Sequence, residues 1–327
     1  MAASKQEFIA GFDFGGTKMR VAVLSPSNKI VGRAEGKTKN VATPKAGVER
    51  IVALVNEAFE AARQQYPDAQ LAGLGLAVPG PVNPEKGVIH ELPNIGWKNV
   101  PIAKFMEKAI GAPVAVINDV DAGIFGEYHF GAARGARTAV GVFPGTGIGG
   151  GAVINGALLL GPGISCMEIG HFPVMRDGPL CGCGQRGCLE AVAGRFAIAQ
   201  EAAVAACRGL APNLFELVGT DIAQIRSRTL AKAIAAGDEV VGQIVRQAAR
   251  HIGLAVAAVV NLLAADCVVL GGGLVEAMPE IFVPEVGATA KARAMESFRD
   301  RVAILAAKLG DDAAILGAAH YAAQQLT

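Results

Sequence analysis

The chain has 327 residues, with 30 Lys+Arg against 29 Asp+Glu, a formal charge of +1, and 52% hydrophobic residues. That length exceeds what one core usually fills and predicts two domains. A balance this close to neutral offers no global attraction to nucleic acid or to an acidic membrane surface, so neither is expected as a partner, and small ligands handled locally are favoured.

The first residues pass from a short polar lead into a strand-like run, without the apolar core and cleavage site of a signal peptide, so a cytoplasmic location is expected. A strand over 8–12 leads into the turn Asp13-Phe14-Gly15-Gly16-Thr17. A second strand over 19–24 follows, and a third over 29–34 after the break Ser25-Pro26-Ser27-Asn28. Helical periodicity covers 46–65. A strand over 72–78 ends in Pro79-Gly80-Pro81, and another over 113–117 delivers Asn118 and Asp119 at its carboxyl end. The opening phrase then recurs: a strand over 138–143, the turn Gly145-Thr146-Gly147, a strand over 150–154, an Asn155-Gly156 hairpin turn and a strand over 157–160. Two copies of one unit suggest two similar halves. The second half is richer in helix, over 190–206, 229–264 and finally 313–325, with a strand over 267–270 running into Gly271-Gly272-Gly273. The longest apolar stretch, beginning at Ile252, is interrupted by Asn261 and Asp266, which suits a buried helix running into a strand and not a membrane span.

Between His171 and Glu190 the sequence reads HFPVMRDGPLCGCGQRGCLE. His171, Cys181, Cys183 and Cys188 supply one nitrogen and three sulfurs, a set suited to tetrahedral Zn²⁺ with no open position, and hence to a structural metal. Redox chemistry is the competing reading of such a cluster, while Cys166, Cys207 and Cys267 sit in apolar or helical surroundings and read as small buried hydrophobes.

Glycine turns let backbone N–H groups converge on an anion, so two such hairpins could cradle a polyphosphate. Either turn alone is equally a plain hairpin. The duplication, with Asp13 and Thr17 in the first copy, favours phosphate. Residues 145–150 formally match GxGxxG, but a strand and not a helix follows, so a Rossmann reading is rejected, and no P-loop pattern is present. Asn118-Asp119 alone reads equally as a turn or a helix cap.

Taken together, the Asp13-to-Lys18 hairpin, the 76–82 run, Asn118-Asp119, the Gly145 turn, the ExGH motif from Glu168 to His171 and the CxCGxxGCxE motif from Cys181 to Glu190 resemble the ROK family of bacterial sugar kinases and regulators nearly end to end. The resemblance implies an α/β, two-lobed, actin-like (hexokinase-like) ATPase fold with ribonuclease-H-like duplicated domains. The smaller would span 1–117 plus a returning helix over about 311–327, and the larger 118–310. It implies transfer of phosphate from ATP to a hexose, glucose first and fructose or an N-acetylhexosamine as alternatives, with Asp119 as the base on the attacking hydroxyl. It places Gly80, Asn94, Asn118, Glu168, His171 and Glu190 around the sugar; Asn94 and Glu190 could instead be a turn residue and a helix cap. His171 would serve twice, one ring nitrogen on zinc and the other on a sugar oxygen. Nucleotide binding falls to Asp13, which would orient Mg²⁺, and to Gly15, Gly16, Thr17 and Lys18 in the first hairpin. Gly145, Thr146 and Gly147 supply the second, and Gly272 and Gly273 a flat seat for adenosine. Lys18 is equally a solvated strand residue. A homodimer is also implied. The family's regulators need a DNA-reading head ahead of the first strand, which starts here within ten residues, so a sugar-sensing regulator without catalysis is the rival of another class. One departure stands out: Cys166 and Met167 precede Glu168 where the family commonly has Ala-Gly, so the bulkier Met167 is expected to narrow the sugar pocket or shift the glutamate.

Overall fold

The computed structural model describes residues 7–92 and 95–325. Two compact units emerge, the first built from 1–134, 157–166 and 311–327, the second from 135–156 and 167–310. The boundary drawn from sequence at 117/118 gave 118–134 and 157–166 to the second unit; the structure gives both segments to the first.

In the first unit, β1 (Glu7–Phe14), β2 (Lys18–Leu24) and β3 (Ile30–Lys37) form an antiparallel meander. Helix α1 (Pro44–Arg63) starts where the Thr43 hydroxyl caps the Ala46 N–H and Pro44 presets the first turn. Next come β4 (Gln70–Val78), a small sheet of β5 (Val82–Asn83), β6 (Val88–Leu92) and β7 (Trp97–Val100), α2 (Ile102–Ile110), β8 (Val114–Asn118) and α3 (Asp119–Phe130). The main sheet runs β3-β2-β1-β4-β8, with β1, β4 and β8 parallel. Its parallel strands β4 and β8 are buried along most of their length and accordingly rich in Val, Leu, Ile and Ala, whereas the edge strand β3 alternates buried and exposed residues.

The second unit repeats the topology. β9 (Thr138–Pro144) pairs antiparallel with β10 (Ile148–Ile154). The next strands, β11 (Ala157–Leu158), β12 (Leu160–Gly161) and β13 (Ile164–Ser165), fall in the 157–166 segment of the first unit. The helix expected over 190–206 is two, α4 (Leu189–Ala193) and α5 (Arg195–Cys207), because Gly194 between them is extended. α6 (Pro212–Val218) follows. The helix expected over 229–264 is likewise two, α7 (Ser227–Ala235) and α8 (Glu239–Leu263). Gly237, with φ of 107°, opens that break, and Asp238 is turned inward to accept the N–H groups of Asn213 and Leu214 at the start of α6. Strand β14 (Cys267–Leu270) runs parallel to β9 and to β15 (Ala303–Ala306), with α9 (Gly273–Ala277), α10 (Pro279–Arg293) and α11 (Glu296–Arg299) between β14 and β15. Among the described residues no helix is long and apolar enough to cross a membrane.

The chain ends with α12 (Ala313–Gln325), which packs against α3, β1 and β4 of the first unit. This contact draws α3 into that unit, and its closeness depends on glycine. A Cβ on Gly317 would overlap the Ala122 carbonyl, and one on Gly126 the Ala313 carbonyl. Farther along, the His129 and His320 rings meet across the two helices, tilted by 46° with centroids 4.1 Å apart. The Phe125 ring meets the His129 edge, Tyr128 and Phe130 flank it, and Gln324 lies 3.3 Å from His320. Burial, and secondarily His320, push the His129 imidazole down to about 4; burial alone lowers His320. A pKa below the unfolded value favours the neutral ring in the folded state, so stability is full above about pH 6.5 and drains away as pH falls towards the folded pKa. Discounted for partial exposure, the loss by pH 5 should be about 1–2 kcal/mol. Thermal unfolding of wild type and His129→Phe between pH 7.5 and 5 checks this: the variant should show the flatter profile, and parallel profiles would rule out the pair.

Candidate active site

In the first unit the chemistry gathers at the carboxyl ends of the parallel strands β1, β4 and β8. β1 carries Asp13 as its penultimate residue, and the turn Gly15-Gly16-Thr17 leads into β2. The turn is tied down by Thr38, whose hydroxyl donates to the Gly15 carbonyl at 2.6 Å and whose N–H donates to the Thr17 carbonyl at 2.9 Å. Gly80 follows β4 with φ of 85°, and its carbonyl accepts the Asn118 side-chain amide at 3.1 Å. Phe14, Gly15, Gly16, Thr38, Pro79, Gly80, Leu92 and Ile95 line a cavity of about 160 Å³. Asn94 lies outside the described residues.

Asn118 ends β8 and is the N-cap of α3, its Oδ1 accepting from Val120 N–H at 2.8 Å and Asp121 N–H at 3.2 Å. The cap reading therefore holds for Asn118, and Asp119, the first helical residue, presents its carboxylate at the start of α3 with Oδ1 accepting the Val120 N–H at 2.9 Å. Burial holds the Asp119 carboxyl above the usual range, against the lowering pull of Val120 N–H, its own N–H and the Asn118 side chain. Asp13 is pushed up to about 7 by burial first and the Asp119 charge second, with Arg20 opposing. Two carboxylates thus share one poorly hydrated corner. That environment suits a divalent cation, whose charge would relieve both, so the donor set fits Mg²⁺.

Arg20, unmarked by any motif, lies 3.6 Å from Asp13 and 2.9 Å from Asp311. Lys18 instead makes an exposed pair with Glu35 at 2.9 Å, the solvated-strand alternative. Neither Arg20 nor Thr38 could be found from spacing: each is an ordinary strand or loop residue until register brings it to the turn.

In the second unit the turn Gly145-Thr146-Gly147 is closed by Gly145 N–H to the Gly147 carbonyl at 2.8 Å. Glu190, in the first turn of α4, reaches this turn: its Oε2 accepts the Ile148 N–H at 3.0 Å, and a Cβ on Gly147 would collide with it. Glu190 is thus anchored to the glycine turn through its side chain, which neither reading from sequence foresaw. On the nucleotide role that the resemblance implies for this turn, Gly147→Ala should displace either the carboxylate or the turn and lower kcat/KM for ATP by about 10-fold or more. Steady-state kinetics with ATP varied at a saturating level of the sugar that the resemblance implies would show it, and a wild-type value would mean the turn needs no bare backbone. Gly272, with φ of 78°, lies over the Pro144 carbonyl, and Gly273 opens α9 beside the Ser227 hydroxyl.

Glu168 and His171 are exposed on either side of a short 3₁₀ turn over Ile169–His171. Met167, directly before Glu168, has φ of 60°. A left-handed backbone favours glycine there, so a glycine would sit at this position without strain and the methionine does not. The candidate ligand atoms of His171, Cys181, Cys183 and Cys188 all lie within 4.8 Å of one another. Cys181 Sγ is 3.6 Å from His171 Nδ1, and Cys183 Sγ is 3.7 Å from Cys188 Sγ. Zn–S bonds of about 2.3 Å along tetrahedral directions put sulfurs about 3.8 Å apart. The four residues therefore fit a closed zinc site, with Nδ1 of His171 facing it and Nε2 left over.

Two duplicated α/β units, each with a glycine turn after its first strand, and a carboxylate at the end of a parallel strand define a protein of the actin-like, hexokinase-like ATPase fold. A model of the ROK family matches residues 9–325, and the chain belongs to that family. It is 31% identical over 317 residues to the glucokinase of Streptomyces coelicolor, covering 95% of this chain and 96% of that one. With the N-acetylmannosamine kinase of Escherichia fergusonii it shares 33% over 317 residues, covering 94% and 95%. Among solved structures, the ROK family glucokinase from Streptomyces griseus, in complex with glucose and AMPPNP, superposes with a TM-score of 0.82 at 30% identity, covering 97% of this chain and 99% of that one. The chain is an ATP-dependent sugar kinase.

Proposed function

We propose that the chain transfers the γ-phosphoryl group of Mg-ATP to the 6-hydroxyl of glucose, with Asp119 as the base. The observation that carries this is the carboxylate of Asp119 at the mouth of β8, kept more basic than an ordinary aspartate by burial and supported by Asn118 and the adjoining Gly80 turn. Asp119 takes the proton of the attacking hydroxyl as the new O–P bond forms, and the electron pair of the breaking bond leaves on the β-phosphate of ADP. In the first unit Asp13, Gly15, Gly16, Thr17 and Lys18 serve the phosphates, and Gly80, Asn94 and Asn118 the sugar. In the second, Gly145, Thr146, Gly147, Gly272 and Gly273 serve the nucleotide, and Glu168, His171 and Glu190 the sugar. Asp13 would hold Mg²⁺, which supplies charge neutralisation at the transferred group. His171, Cys181, Cys183 and Cys188 would hold zinc, which fixes the segment bearing the sugar contacts. A cytoplasmic homodimer completes the reading.

A second reading keeps this machinery and changes the sugar. The match to an N-acetylmannosamine kinase is as extensive as that to the glucokinases, which favours an N-acetylhexosamine as the alternative. A coupled ADP-release assay with Mg-ATP across glucose, fructose, mannose and their N-acetylated amino sugars decides between them by kcat/KM. Binding of a sugar without ADP release from any of them would point instead to a sensor.

A further inference from the structure

The second glycine turn has a basic neighbour that the roles above do not use. Arg195 stands at the first position of α5, immediately after the extended Gly194, and grips the turn twice. Its backbone N–H donates to the Gly145 carbonyl at 3.0 Å, and its guanidinium Nη2 donates to the Thr146 hydroxyl at 3.1 Å. The guanidinium also rests 4.7 Å over the Phe196 ring and makes a long contact, 3.5 Å, with the Ile225 carbonyl. That last contact brings it to the segment holding Arg226, the next residue after Ile225. Burial first, and the Arg226 charge second, hold the Arg195 guanidinium below its usual value. Among the described residues neither arginine forms an ion pair. Two like charges brought together without a carboxylate is an arrangement proteins usually avoid, and one an anion would neutralise. The next residue, Ser227, has its hydroxyl beside Gly273, so the chain carrying Arg226 passes the Gly272–Gly273 seat while Arg195 holds the Gly145–Gly147 turn.

We infer that Arg195 and Arg226 form an anion subsite for the diphosphate portion of the nucleotide, with Arg195 also positioning Thr146. The inference rests on the kinase reading for the identity of its ligand and extends the nucleotide-binding set beyond the glycine motifs. Its logic is that of placement: a turn supplies N–H groups for one phosphate, and two planar forks supply charge for the adjoining ones. A planar fork can engage two phosphate oxygens at once, which a lysine ammonium cannot, so Arg→Lys is not a silent change here.

The test is calorimetric titration of the full chain with ADP, pyrophosphate and adenosine, for wild type, Arg226→Met and Arg195→Lys, together with KM for sugar and for Mg-ATP. Arg226 makes no hydrogen bond to the turn, so its replacement leaves the turn's ties intact; Arg195→Lys keeps charge while losing the fork. Each variant should weaken ADP binding about 10-fold, flatten its salt dependence in the case of Arg226→Met, and leave adenosine affinity and sugar KM within about twofold. Wild-type ADP affinity in both variants would overturn the subsite even if the enzyme turns over normally. Equal losses for adenosine would overturn it as well, since that outcome marks a general disturbance of the unit, and pyrophosphate binding tighter than ADP would overturn the assignment to a nucleotide. Failure of the kinase reading would look different: no sugar-dependent ADP release from wild type, whatever the binding isotherms show.

Discussion

Asp119→Asn is expected to lower kcat by roughly 10³–10⁴-fold, the upper part of the range for removing a positioned base, while sugar and ATP affinities stay within a few-fold. The substitution is a fair test because the amide retains what is structural about this residue. Asp119 spends one oxygen on the Val120 N–H at 2.9 Å, which an asparagine Oδ1 accepts equally well, and the N-cap of α3 belongs to Asn118 and is untouched. What is lost is the second oxygen's capacity to take a proton. The pH profile of the wild type carries the same information. Because burial raises the Asp119 pKa, the base is ready only above that raised value, so the acid limb of kcat should lie higher than an ordinary aspartate would place it, and should vanish from the residual activity of the asparagine variant. Asp119→Asn retaining most of the wild-type kcat would remove the base from residue 119 altogether.

Some of this site is legible in the sequence and some is not, and the difference is physical. The paired hairpins can be read because glycine at a strand turn is a local demand on backbone geometry, and the demand appears twice at corresponding places. The Cys/His cluster can be read because four donors of the right chemistry for a metal fall within eighteen residues of chain. The break between α7 and α8 is easily passed over, since Gly237-Asp238 is its one mark in an otherwise periodic 229–264 and the partner that fixes it, the start of α6 whose N–H groups Asp238 accepts, is distant in sequence. Side chains whose job is defined by a distant partner are hidden too. Arg20 reaches Asp311 across 291 positions, and Thr38 reaches Gly15 across 23. Arg195 could have been suspected: a cation directly after a glycine, five residues beyond a glutamate already marked as functional, is a pattern with a reason behind it. Met167 shows the converse. The departure from the family's glycine is visible in the letters, but that it imposes a left-handed residue just ahead of Glu168 is visible only in the backbone.

Removing the proposed zinc should have an effect nearly as large, by another route. The segment from Phe172 to Cys188 contains little regular structure: its described backbone contacts are tight turns and isolated bridges, Pro173 with Cys188 and Leu180 with Arg186. Turn hydrogen bonds such as Val174 N–H and Met175 N–H to the Gly187 carbonyl, with few buried apolar side chains beneath them, are a weak hold on a loop against its chain entropy. A tetrahedral ion bound by His171, Cys181, Cys183 and Cys188 would fix it, and its binding free energy then becomes folding free energy for this part of the second unit. Chelation of the metal, or Cys183→Ser, is therefore expected to release about one zinc per chain and to lower Tm by about 10 °C or more, several kcal/mol at the usual conversion for a unit of this size. Because Glu168 and His171 enter the segment and Glu190 leaves it, sugar KM should rise at least 10-fold, whereas KM for ATP should change less in proportion to how far Glu190 keeps its hold on the Ile148 N–H. Cys183 is the informative position: it is exposed, so serine there creates no cavity, and a fall in Tm can be charged to the metal and not to packing. Metal analysis, calorimetry and sugar kinetics on the same preparation check the three effects together. A chelated protein that melts with the wild type and keeps its sugar KM would show that the loop holds itself, and the four ligands would then lose their structural role.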